Sequence, residues 1–191
     1  MATFLKKSLV FGALLAFCLT AGVAQAKTTE AGTFYLTPKV GMYGSTNKNI
    51  SSMFTYGAEA GFFVIDGLSL GVEALGYVIY QKRKPNAFLS SNSNYEYANA
   101  FSPIAIARYH YMLSDKASVF GGIGLGGFFS DVKVPRNGYT SNFTEVGEIG
   151  FDFALTEMVS LQLAARYQHI GDFSNKGSDN FGGNFGVKIA F

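Results

Sequence analysis

The chain has 191 residues and a formal net charge of +2, from 15 lysines and arginines against 13 acidic residues. Lys6 and Lys7 carry that excess, so the rest of the chain is neutral and gives no electrostatic case for nucleic acid. With 23 glycines, 19 phenylalanines, 11 tyrosines, 4 prolines, no tryptophan and one cysteine, the composition is odd for a soluble domain of this size and excludes a disulfide.

Residues 1–26 have the form of a secretory signal peptide. Lys6 and Lys7 make a positive n-region, Leu9 to Val23 an apolar h-region, and Ala24-Gln25-Ala26 a small-residue cleavage site. The apolar run is too short, and its end too characteristic, for a membrane anchor. Phe17 beside Cys18 argues against a lipid-modified cysteine, so the single thiol leaves with the signal. Residues 27–191 then form one mature domain. No later segment has ~20 consecutive apolar residues, so no transmembrane helix is predicted.

The mature chain shows a period of two in place of a helical period. The first strand, around Phe34–Tyr43, sets Phe34, Leu36, Val40 and Met42 against Tyr35, Thr37 and Lys39. The second, around Phe54–Val64, sets Phe54, Tyr56, Phe62 and Val64 against Thr55 and Glu59. The third, from Leu68, sets Leu70, Val72 and Tyr80 against Ser69, Glu73 and Tyr77. The fourth sets Phe101, Ala105, Ala107 and Tyr109 against Ser102, Arg108 and His110, but Ile104 and Ile106 make both its faces apolar. The fifth alternates Val119, Ile123, Leu125 and Phe129 with serine and glycine. The sixth sets Phe143, Ile149, Phe151 and Phe153 against Thr144, Glu148 and Asp152, and the seventh Val159, Leu161, Leu163 and Tyr167 against Ser160, Gln162 and Arg166. The eighth alternates Phe181, Phe185, Val187, Ile189 and Phe191 with Asn184 and Lys188.

Connections alternate in length. Short ones fall near Asp66-Gly67, Asp115-Lys116 and Glu157, and long polar ones near 45–52, 81–95, 130–142 and 171–180. Short turns at one end, long loops at the other, and strands of about ten residues describe an all-β fold: an eight-stranded antiparallel transmembrane up-and-down β-barrel. Closure leaves no unpaired strand edge in lipid.

Charge placement separates this from a soluble barrel. Lys39, Glu59, Glu73, Arg108, Glu148, Asp152, Arg166 and Lys188 all fall on the polar face, four of each sign, whereas the opposite face is nearly uncharged, with Glu145 near a strand's outer end. A lysine or arginine facing lipid at mid-membrane costs about 2–4 kcal/mol, so the charged face is the lumen. An eight-stranded lumen is only wide enough to be filled by side chains, which predicts an internal ion-pair network and a plugged interior. By height along the strands, Lys39, Glu59 and Glu73 form one group, Glu148 and Arg166 a neighbouring pair, and Asp152, Arg108 and Lys188 a lower group.

Other motifs carry less. Gly122, Gly124 and Gly127 match a dinucleotide-binding glycine pattern, but no helix follows to receive a pyrophosphate, and small residues in a narrow barrel leave room for neighbouring long side chains. No metal-ligand spacing and no cofactor motif is present. Lys82, Arg83 and Lys84 open the second long loop, as a solvated charge run or a contact for lipopolysaccharide phosphates. His110 falls at a strand end. His169 lies near Asp172, Ser174 and Asp179, and "QHIGDFSN" resembles the lipid A deacylase barrels, which carry His and Ser two residues apart plus an acidic partner. Here the residue two after His169 is Gly171, so the departure falls on the nucleophile and no enzyme is expected.

As a whole, the signal segment, "PIAIARYHYMLSD" and the terminal "FGVKIAF" resemble the small outer-membrane β-barrel superfamily, of the OmpA, OmpX and opacity-protein type. The resemblance implies a barrel with surface loops, and a terminal strand read by the barrel-assembly machinery through Phe185, Val187, Ile189 and Phe191. A chain stopping at Phe191 implies the barrel alone, without a peptidoglycan-binding domain. The expected function is a monomeric outer-membrane protein of a Gram-negative-type bacterium. Its role would be structural or adhesion-like, through four loops facing lipid, lipopolysaccharide or a host surface. A small-solute pore is the alternative, and a lipid A-modifying hydrolase the third reading.

Overall fold

The computed structural model describes residues 28–82, 95–171 and 177–191. They form eight strands: β1 (Phe34–Ser45), β2 (Ile50–Ile65), β3 (Leu68–Lys82), β4 (Tyr95–Ser114), β5 (Ala117–Val134), β6 (Tyr139–Ala154), β7 (Val159–Gly171) and β8 (Ser178–Ala190). Each pairs antiparallel with its neighbours in sequence, and β8 pairs with β1, so the sheet is a closed barrel. The seam continues past β8, where Phe191 and Phe34 exchange backbone hydrogen bonds of 2.9 and 3.1 Å. No helix among the described residues is long and apolar enough to cross a membrane.

The two faces follow the alternation. In β1, Tyr35, Thr37, Lys39, Gly41 and Tyr43 are buried, while Phe34, Val40 and Met42 are exposed. The same inside-out arrangement holds around the ring, with Leu70, Val72, Ile123, Ile149, Leu163 and Phe185 on the outer wall. β4 keeps the register expected for it: Ser102, Ile104, Ile106, Arg108 and His110 point inward, Phe101, Ala105 and Tyr109 outward. In a barrel whose outer wall meets lipid, this is the favourable distribution.

The end carrying the short connections, 66–67, 115–116 and 155–158, is the periplasmic end of such barrels, and the other is the outer end. Gly67 turns β2 into β3 with φ of 79°, and a Cβ there would lie 2.6 Å from the His110 carbonyl, so both conformation and space demand glycine. Two outer connections are shorter than their composition predicts. Only 46–49 joins β1 to β2, and only 135–138 joins β5 to β6, where stretches 45–52 and 130–142 read as loop. Ser, Asn and Lys lower apparent strand character, yet β4, β5 and β6 run on beyond the membrane-crossing length, held by their ladders. The segment 1–26 read as a signal peptide lies outside the described residues.

The filled lumen as candidate functional site

Around the middle of the barrel, register brings six charges together. Glu59 and Glu73 sit directly opposite one another on β2 and β3, a like-charge pair that is unfavourable alone. Lys39 on β1 bridges them, its Nζ 2.6 Å from a carboxylate oxygen of each. Arg166 on β7 grips Glu73 with both terminal nitrogens, at 2.7 and 2.8 Å, and reaches Glu148 on neighbouring β6 at 2.6 Å. Arg108 on β4 donates to Glu59 and Glu148 and lies 3.1 Å from Glu73. Tyr35 adds a hydroxyl donor to Glu59 at 2.7 Å. All six charged side chains are at most 3 % exposed. Three cations and three carboxylates make a neutral belt in which every charge has at least two partners, the condition under which burial of ions is tolerated.

Below it, Lys188 on β8 donates to Asp152 on β6, which also accepts from Gln162 at 3.0 Å. His110 Nδ1 lies 3.1 Å from the same carboxylate, outside hydrogen-bond alignment. Lys188 also faces the rings of Tyr35 and Phe63, 5.6 and 5.7 Å from their centroids. Arg108 does not join this lower group, as height along the strand alone suggested. Its long side chain rises past Gly122, where a Cβ would lie 2.8 Å from Arg108 Cγ, and enters the belt. The bare Cα of Gly122 therefore serves as a passage for an arginine, which accounts for one residue of the glycine-rich stretch on β5.

Above the belt, toward the outer end, the inward positions carry an apolar cluster, with the polar Thr55, Thr144, Gln168 and Asn180 also buried on that side. Tyr43, Met53, Leu75, Tyr77, Ile79, Ile104, Ile106, Phe128, Val146 and Ile170 are buried together, with Tyr77 and Phe128 edge-to-face at 5.2 Å. At one polar edge of this layer Gln168 Nε2 donates to the Tyr77 hydroxyl at 2.9 Å and to Thr144 at 3.0 Å. At the rim, Asn142 Nδ2 donates to the carbonyls of Val134 and Tyr139, and Gln81 Nε2 to that of Lys133, which fastens the β5–β6 turn to its neighbours. Sequence reading missed this apolar layer.

The remaining candidates are dispersed. Lys82 is exposed at the end of β3, its backbone N–H bonded to the Asn49 carbonyl, while Arg83 and Lys84 lie outside the described residues. Phe185 and Phe191 stand on the exposed outer wall, and Val187 and Ile189 are half-buried beside them. His169 points outward, its Nδ1 2.8 Å from Asp179 Oδ1, and the hydroxyl of Tyr167 donates to that same oxygen at 2.7 Å. Asp172 and Ser174 lie outside the described residues. A Cβ on Gly171 would come 2.9 Å from His169 Nε2, so the place a nucleophile would take beside the imidazole holds no side chain. No group of three or more metal-ligating side chains is found among the described residues.

A family model described as the outer membrane protein beta-barrel domain matches residues 11–191. No curated protein matches the sequence significantly. Among solved structures, Neisserial surface protein A superposes with a TM-score of 0.64 at 18 % identity, covering 84 % of this chain and 99 % of that one. OprG from Pseudomonas aeruginosa gives 0.58 at 14 % identity, over 88 % and 99 %. The outer membrane enzyme PagL gives 0.56 at 13 %, over 80 % and 98 %. At such identities the likeness is one of fold, and it agrees with the inside-out wall and the closed strand order derived above. With the family model spanning all but the first ten residues, the chain belongs to the outer-membrane β-barrel protein family.

Proposed function

We propose that this outer-membrane barrel is a closed, non-conducting scaffold whose work is structural and interactive, carried on its outer surface and outer connections, with no enzymatic activity and no cofactor. The observation that carries this reading is the double filling of the lumen, an ion belt at mid-height and an apolar layer above it. A solute would have to displace buried charges from their partners and then cross a packed apolar layer. The family includes barrels of several functions, so the reading rests on this interior and not on the fold. Planar-bilayer recording of the purified protein is expected to show no stable open level, and a reproducible conductance would favour the small-solute pore.

The same proposal covers export and partners. The chain is exported with cleavage after Ala26 and inserted by the barrel-assembly machinery, which reads Phe185, Val187, Ile189 and Phe191. It works as a monomer, meeting a surface ligand through its outer connections. Lys82, with Arg83 and Lys84, meets lipopolysaccharide phosphates, since clustered cations at the outer end attract anionic headgroups. Reversing these three charges to glutamate is expected to reduce co-purified lipopolysaccharide several-fold. An unchanged amount would leave the run as a solvated face.

A further inference from the structure

Residues 29–33, just before β1, form a short strap across part of the periplasmic mouth. Its backbone is fastened to the β2–β3 hairpin. Gly32 N–H donates to the Phe63 carbonyl at 2.7 Å, Phe63 N–H to the Thr33 carbonyl at 2.9 Å, and Gly67 N–H to the Thr29 carbonyl at 3.0 Å. Ala31 N–H donates to Asp66 Oδ1 at 2.9 Å. The far end of the strap meets β4 through one side-chain contact. The hydroxyl of buried Thr29 donates to the thioether sulfur of Met112 at 3.4 Å. A thioether is a weak acceptor, so this is the weakest of these fastenings.

Among the described methionines, Met112 is also the one that a water-borne oxidant reaches. It is 42 % exposed and lines the cavity at the periplasmic mouth, beside Thr29, Gly67, His110 and Thr156. Met53 is buried in the apolar layer, and Met158 is half-buried at the 155–158 turn. Met42 is exposed only on the outer wall, which lipid covers. An oxidant of the peroxide class turns a thioether into a sulfoxide. The O–O bond breaks, one oxygen bonds to sulfur through a sulfur lone pair, and the other leaves as water. Sulfur is oxidised by two electrons and the peroxide is reduced. If the new oxygen points at Thr29, it must fit inside a 3.4 Å contact, whereas an O–H···O bond alone takes about 2.7 Å. If it points into the mouth, the sulfur left facing Thr29 carries partial positive charge and no longer accepts. Either way Thr29 comes off β4. Gly67 cannot follow the strap, because its carbonyl is held by His110 N–H at 2.7 Å.

We propose that Met112 is an oxidation site, which fastens the strap as a thioether and releases it as a sulfoxide. The test treats the barrel, purified from membranes into detergent micelles, with hydrogen peroxide. Peptide mass spectrometry follows each methionine, and amide hydrogen exchange follows the strap. Met112 is expected to oxidise several-fold faster than Met53 and Met158. Exchange of the peptide carrying Ala31 and Gly32 should then rise about tenfold, the scale of one lost hydrogen bond. It should fall back after treatment with methionine sulfoxide reductases. Peptides carrying Glu59 and Arg166 should not change. Met112→Leu should make strap exchange insensitive to peroxide, and Thr29→Val should raise it without peroxide. Both variants are checked for heat-modifiable gel mobility, and if Thr29→Val fails to fold, Met112→Leu decides. Full oxidation of Met112 with unchanged strap exchange would overturn the proposal. So would oxidation of Met53 or Met158 as fast as that of Met112, or a peroxide response that survives in Met112→Leu.

Discussion

Lys39, Arg108 and Arg166 face Glu59, Glu73 and Glu148 around the middle of the barrel, whereas the inward positions nearer the outer end carry Tyr77, Ile79, Ile104 and Phe128. Both regions fill the same narrow tube, and both are almost wholly buried. They differ in how a defect is felt. In the belt each charge is shared among two or three partners on different strands, so removing one group changes the balance for all. In the apolar layer each contact is weak and local, and a defect is graded by the volume lost. The belt ties β1, β2, β3, β4, β6 and β7 together at one height, because each charge takes its partners from other strands. The layer above supplies packing that many apolar side chains of similar volume can provide.

The comparison is broken most directly at Arg108. Arg108→Met keeps much of the side-chain length but removes the donor to Glu59, Glu73 and Glu148. The belt is left with two cations and three carboxylates, out of reach of water. Removing one partner from a buried pair costs about 3–5 kcal/mol, and a loss of that size is expected in urea unfolding of the barrel in detergent. Adding Glu148→Gln restores neutrality and should recover part of the loss. No recovery would mean that Arg108 acts by packing alone.

How much of this was legible depends on the residue. Period-two alternation placed the strands because one face is charged and the other meets lipid, so Glu59, Glu148, Arg166 and Lys188 were inward by parity alone. Parity fails where both faces are apolar. From Ala74 to Tyr80 the chain is an almost unbroken apolar run, so Tyr77 was inward by parity, while Leu75 and Ile79 gave no sign that they join it in a layer inside the lumen. Arg108 was assigned to the wrong height because strand position fixes Cα, while its guanidinium reaches several ångströms further along the tube. His169 had two acidic residues in the same stretch. Only the β7–β8 register, which sets it opposite Asp179, shows which carboxylate it meets.

A smaller effect is expected in the apolar layer, and Phe128 is the position that sharpens the contrast. Its side chain is fully buried and meets the edge of Tyr77 at 5.2 Å. Phe128→Leu keeps an apolar group of similar reach and loses the aromatic pair, worth about 0.5–1.5 kcal/mol, with a modest packing term. Tyr77 is not freed by the change, because its hydroxyl stays bonded to Gln168, which is held in turn by Thr144. The defect should therefore stay local, about 1–2 kcal/mol in the same urea measurement, well under the loss at Arg108. Conductance should remain absent, since the belt below is untouched. If Phe128→Leu costs as much as Arg108→Met, the layer and the belt unfold as one unit, and the distinction between shared charge and local packing does not hold in this barrel.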